Sequence, residues 1–284
     1  RDDSIQMGHA LSGGAIFNSA TMTVSFSQIG NSQAHGEPER DGNFGLGGGI
    51  LNKGELDLSD SAVFKNEAWQ SGGGIATLDT SSTTIVRGAI TGNHSFHFGG
   101  GIHAPGWLNM LNSTVSDNEA PHAGGVWVWG EGSMIRNSTI AFNRTTDGNG
   151  YGGGLEGASL DFPVELTNSI VANNTGVFGA QECFGNVTSN GYNLFFGSVA
   201  NCNISSAMGD IFDTNPRLAP LAQNGGDWDP MTMFPGPLKI GRPPSLRDNA
   251  AVATWLASDE SAYMSGLTIP SCDGGQFART SIPF

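Results

Sequence analysis

A glycine signature that returns six times constrains the fold of this chain more than any other feature. It reads "GGAIFN" from Gly13, "GGGILN" from Gly47, "GGGIAT" from Gly72, "GGGIHA" from Gly99, "GGVWVW" from Gly124 and "GGGLEG" from Gly152. The apolar residue that follows the glycines, in the order Ile16, Ile50, Ile75, Ile102, Val126 and Leu155, steps by 34, 25, 27, 24 and 29 residues. Each unit carries a second apolar pair, such as Leu56 and Leu58 or Leu108 and Met110. A third stretch ends in asparagine: "AVFKN", "AITGN", "TVSDN", "TIAFN" and "SIVAN" finish at Asn66, Asn93, Asn118, Asn143 and Asn173.

Three short strands per unit cannot bury a face alone, so successive units must stack. The spacing predicts an all-β, right-handed parallel β-helix, a solenoid of about 24 to 30 residues per coil across residues 1–226. Ile16, Ile50, Ile75, Ile102, Val126 and Leu155 are the expected core column. Stacked strands lie about 4.8 Å apart, so one position per coil becomes a column running along the solenoid. An internal asparagine column can bond amide to amide along its length.

Composition agrees with a turn-rich β protein. Glycine, at 43 of 284 residues, is about twice ordinary usage, and charged residues at 13% are about half of it. A net charge of −14 with only 12 Lys plus Arg argues against nucleic acid and anionic membrane surfaces, which need clustered cations. No apolar run is long enough to span a membrane, and the start "RDDSIQMGHA" has no signal-peptide pattern, as a processed mature end would not. Of three cysteines, Cys183 and Cys202 flank one short Asn- and Gly-rich loop and are the expected disulfide pair, which favours an oxidising compartment.

With its "GGGI.N.G.L.L..S....N.A" coils, the segment from about residue 10 to 226 resembles bacterial secreted β-helix proteins, including the choice-of-anchor type. The stretch "LTNSIVANNTGVFGAQECFGNVTSNGYNLFF" followed by "DTNPRLAPLAQNGG" carries most of that resemblance. It implies export or a place on the cell surface, and a stacked fold, without a named activity. From Ile240, "IGRPPSLRDNAAVATWLASDESAYMSGLTIPSCDGGQFA" resembles the last helix and strand of a short-chain dehydrogenase. That family's glycine-rich nucleotide loop and its tyrosine with a lysine four residues on are missing, so no nicotinamide cofactor and no dehydrogenase activity are expected. Residues 227–284 read instead as a capping tail, with a helix near 246–258 whose Ala250, Val252, Trp255 and Leu256 stripe would cover a solenoid end or join two copies as a homodimer.

Candidate chemistry comes from columns. The residues that follow the asparagines are Glu67, His94, Glu119, Arg144 and Asn174, which sets a histidine between two carboxylates. Three positions further on come Gln70, His97, His122 and Asp147. Glu67, His94, His97, Glu119 and His122 thus gather on one edge as candidate catalytic residues, since an imidazole among carboxylates can serve as general acid or base. His97, His122 and Glu119 are also the residue types that hold zinc or another transition metal. The insertion "SQAHGEPERDGNFGL" could add His35, Glu37, Glu39 and Asp41 to this edge, and carboxylate turns at Asp41, Asp147 and Gly225 could hold calcium.

Alternation in "GGVWVWG" turns Val126 and Val128 to one side and Trp127 and Trp129 to the other. With His103, which shares the Trp127 position of the neighbouring coil, and Trp107, these are candidate substrate-binding residues able to stack on sugar rings. The leading expectation is an extracytoplasmic β-helix that binds or cleaves a glycan or similar extracellular compound at the His/Glu edge. One alternative is a non-catalytic surface or adhesion module, and a second is a metal-dependent hydrolase of a small ester or lactone.

Overall fold

The computed structural model describes residues 3–36, 45–148, 151–159, 161–177, 179–204 and 206–218. The chain divides into two units, Arg1–Pro220 and Leu221–Phe284. All of the second unit, and with it every expectation for the tail, lies outside the described residues.

The first unit is a parallel β-solenoid of about seven turns. One coil runs through Ile75–Thr77, Ser82–Val86, Ala89–Thr91 and His94–Ser95, and the next begins at Ile102. Repetition of this path builds four sheets, numbered 1 to 4 in the order the coil visits them. They hold seven, seven, nine and eight strands among the described residues. Every pairing is parallel except the last in sheet 4, Thr175–Gly176 with Gly179–Ala180. The expected core column is in register from Ile16 through Ile50, Ile75, Ile102, Val126 and Leu155, and it continues to Cys183. Ile50 to Leu155 in that column are fully buried, while Ile16, in the first coil, is only partly covered. Sheet 3 supplies Val63, Ile90, Val115, Ile140, Val171 and Phe195, each completely buried. Each such side chain contributes about 1.5–3 kcal/mol, which explains why units this small are stable only as a stack.

The triple glycine has a separate physical reason at each place. Gly72 adopts a left-handed φ of 69° at the corner that enters sheet 1. At Gly73 a Cβ would overlap the carbonyl oxygens of His94 and Gly100 in the next coil, and at Gly74 it would press on the Asn93 amide.

Asparagines form a buried ladder at the corner between sheets 3 and 4. The Nδ2 groups of Asn66, Asn93, Asn118 and Asn143 each donate to the Oδ1 of the next coil's asparagine at 2.9–3.0 Å. The backbone N–H of each donates to the same oxygen, and the second amide hydrogen goes to a strand carbonyl such as Ile90 O from Asn118. The last rung corrects the expectation from sequence: it is Asn174, not Asn173. Pairing of Ile140 with Val171 sets this register, because both must point into the core. Asn173 instead occupies the left-handed corner position (φ 60°), equivalent to Lys65, Gly92, Asp117 and Phe142.

A second ladder, unforeseen from sequence, runs along the corner between sheets 2 and 3. The backbone N–H groups of Gly88, Ser113 and Ser138 donate to the hydroxyls of Ser113, Ser138 and Ser169. Asn193 and then Asp210 continue it. The expected disulfide joins Cys183 to Cys202, with Cα atoms 5.7 Å apart.

Candidate functional site

Sheet 4 places Glu67, His94, Glu119 and Arg144 in one register column, as expected through Arg144. The next member is Thr175 and not Asn174, which is drawn inside as the ladder rung. Neighbours along the column pair with one another. His94 Nδ1 lies 4.0 Å from Glu67 Oε2, and Arg144 binds Glu119 Oε2 at 2.6 Å, all four side chains remaining partly exposed.

Two positions beyond this column, side chains point outward again and are largely aromatic. His35 meets Trp69 edge-on at 5.1 Å between ring centres, and Trp69 meets Phe96 at 6.3 Å. Phe96 in turn meets His94 at 4.6 Å. Trp69 and Phe96 are each 48% exposed, an apolar strip held in water beside the charged column. Only His35 of the long insertion's candidates can be placed, because Glu37, Glu39 and Asp41 lie outside the described residues.

His97 and His122 do not share a register position, contrary to the expectation from their equal spacing after the asparagines. His122 pairs with Phe98, and its backbone N–H donates to the His97 carbonyl. The coil holding His122 is one residue shorter between asparagine and core residue, so Ala123, with a φ of 48°, takes the corner place that Gly99 fills elsewhere. The Phe98 ring lies 5.1 Å from the His122 ring and 6.3 Å from that of His97. Among the described residues, no three His, Cys, Asp or Glu side chains converge to hold a metal ion, so His97, His122 and Glu119 do not form a ligand set.

Around the glycine corner, the outward column of sheet 1 is His103, Trp127, Glu156 and Phe184. His103 stacks on Trp127 at 4.7 Å, and Phe98 contacts both rings. Trp127 is thereby half-buried, while Trp129, 5.9 Å from it, is 52% exposed. Trp107 lies apart at the start of a sheet 2 strand, where its indole N–H donates to the Gly132 carbonyl at 2.9 Å.

Glu156 was not among the residues singled out as a site, although its equivalence to Trp127 was legible from the repeat. Its side chain is almost wholly covered. Burial pushes its carboxyl up to about 7, opposed by the hydrogen bond from the Trp127 indole. Burial also pushes the His103 imidazole down to about 4, leaving it neutral at physiological pH. Both His103 Nδ1 and Glu156 Oε2 are buried without a hydrogen-bond partner.

No protein-family model, curated protein or solved structure matches this chain.

Proposed function

We propose that the protein is an extracytoplasmic β-solenoid that binds, and in its fullest form cleaves, a glycan lying along the corner between sheets 4 and 1. The observation that carries this reading is the exposed pair Trp69 and Phe96, set beside the Glu67–His94–Glu119 column. Flat apolar rings kept in water next to hydrogen-bonding groups suit the alternating apolar faces and hydroxyl edges of sugars. Trp127 and Trp129 supply a second platform on the far side of the corner, with His97 and His122 between the two. The disulfide suits export to an oxidising compartment.

A non-catalytic surface or adhesion module is the second reading. It draws support from the Arg144–Glu119 pair, which occupies a carboxylate that catalysis would need free. The test is titration calorimetry against a panel of oligosaccharides, with reducing ends assayed in the same mixtures. Trp69→Ala combined with Phe96→Ala should weaken binding at least about tenfold with little change in melting temperature, since exposed substitutions cost within about 0.5 kcal/mol. Binding without new reducing ends assigns a lectin-like module. Absence of binding to every glycan in the panel would overturn the glycan reading.

A further inference from the structure

Sheet 4 sets its two outward columns side by side, and four of their residues make one accessible patch. Glu67 and Trp69 lie two residues apart and so face the same way, as do His94 and Phe96 in the next coil. The ladder extends through both positions: Glu67 is in register with His94, and the backbone N–H groups of Trp69 and Phe96 donate to the carbonyls of Ala34 and Ala68. Trp69 and Phe96 are each 48% exposed, and the side chains of Glu67 and His94 keep 34% and 35% of their surface in water.

The charge beside these rings is negative. Glu119, one coil beyond His94, is held by Arg144 at 2.6 Å, whereas Glu67 has only the His94 imidazole, at 4.0 Å. Among the described residues no Lys or Arg forms an ion pair with Glu67. Lys65 precedes it at the corner from sheet 3, with its stem beside Gly92. Lys65, Glu67 and Trp69 follow one another across the corner, which leaves the carboxylate on the ring side of the lysine. A carboxylate next to exposed rings, on a chain with a net charge of −14, matches a cation that also carries an apolar face. An anionic ligand would meet like charge there, and a neutral one would gain nothing from the charge.

We propose that this patch is a subsite for a glycan with free amines, an oligomer of 2-amino sugars whose ammonium group lies between Glu67 and the faces of Trp69 and Phe96. The proposal rests on the glycan reading and names the class of sugar accepted. The ammonium donates a charge-assisted hydrogen bond to Glu67 and is drawn to the ring faces, while the apolar face of the sugar covers an indole or phenyl ring. Trp69 and Phe96 stand 6.3 Å apart between ring centres, and His35, 5.1 Å from Trp69, extends the row by one coil, so consecutive sugars meet consecutive coils. Acetylation of the amine removes its charge and both attractions with it. The site should therefore separate two glycans that differ in nothing else.

The test is calorimetric titration of the full chain at neutral pH with chitosan oligomers, fully acetylated chito-oligomers of the same length, other neutral oligosaccharides, and oligolysine. Wild type should bind chitosan oligomers at least about tenfold more tightly than the acetylated ones, and added salt should narrow the gap. Glu67→Gln, similar in shape but uncharged, should bring that ratio to within about threefold, with an unchanged melting temperature showing that it folds. Should a neutral oligosaccharide bind as tightly as chitosan, or Glu67→Gln keep the full preference, the glycan reading stands and the amine assignment falls. Oligolysine binding as tightly as chitosan would overturn the assignment by showing that the patch reads charge without sugar. Chitosan binding that survives Trp69→Ala combined with Phe96→Ala removes the ring platform on which both readings rest, and so does failure of every oligosaccharide to bind.

Discussion

Asn174 donates both its side-chain amide, at 2.7 Å, and its backbone N–H, at 3.1 Å, to one oxygen of Glu182. Glu182 thus ends the asparagine ladder, one carboxyl oxygen accepting both donors. Every rung from Asn66 onward donates towards the same end, so the ladder is polarised and its last donors need a terminal oxygen. The Glu182 side chain is fully buried, its second oxygen has no partner, and the glycine at 197 leaves room for the carboxyl.

Burial raises the Glu182 carboxyl from 4.5 to about 7, against the opposing pull of its Asn174 bonds. The folded state therefore holds a proton that the unfolded chain releases, and stability should fall as pH rises from about 4.5 to about 7. Glu156 adds to the same trend, because its shift has the same sign. Glu182→Gln keeps the acceptor without a charge to bury. Thermal melts across that range should show the variant more stable than wild type above neutrality, by on the order of a few kcal/mol, and converging with it in acid. A constant offset across pH would contradict this.

Asn173 and Asn174 are adjacent and alike in composition, yet their substitutions should differ sharply. Asn174→Ala strips the acceptor from the Asn143 amide and backbone N–H and should cost about 3 kcal/mol or more. Asn173→Gly relieves a left-handed φ at some entropic cost and should stay within about 0.5 kcal/mol of wild type. Denaturant midpoints of the two variants, measured side by side, check the ladder assignment.

The Cys183–Cys202 bond closes a segment with a sequence separation of 19 and ties a core position of sheet 1 to the loop beyond it. Reduction should destabilise the wild type by about 3 kcal/mol. Cys202→Ser should melt at the reduced protein's temperature and be insensitive to reductant. Equal melting of oxidised and reduced wild type would show that the bond constrains little.

Much of the fold was legible because a solenoid repeats its constraints. The column from Ile50 to Leu155, the inward pair of Leu108 and Met110, and the disulfide all follow from spacing. The serine ladder was less visible, because Ser113 and Ser138 sit in "NST" triplets that read as mere repeat wording until their neighbours in the next coil are known. Of the outward columns, the register of Glu67, His94 and Glu119 was legible, while the alignment of His97 with His122 was not.

By itself, then, the sequence determined the period, the inward columns and the polar ladder that make stacking obligatory. Tertiary structure alone decided register where a coil gains or loses one residue, setting His122 against Phe98 and drawing Asn174 rather than Asn173 inside. It also decided that Glu156 would be buried with an unpaired oxygen between Trp127 and Phe184. The physical reason is that partners within a column lie a whole coil apart along the chain. Periodicity locates them to within a residue, but side chains alternate faces at every residue, so a slip of one exchanges inside for outside.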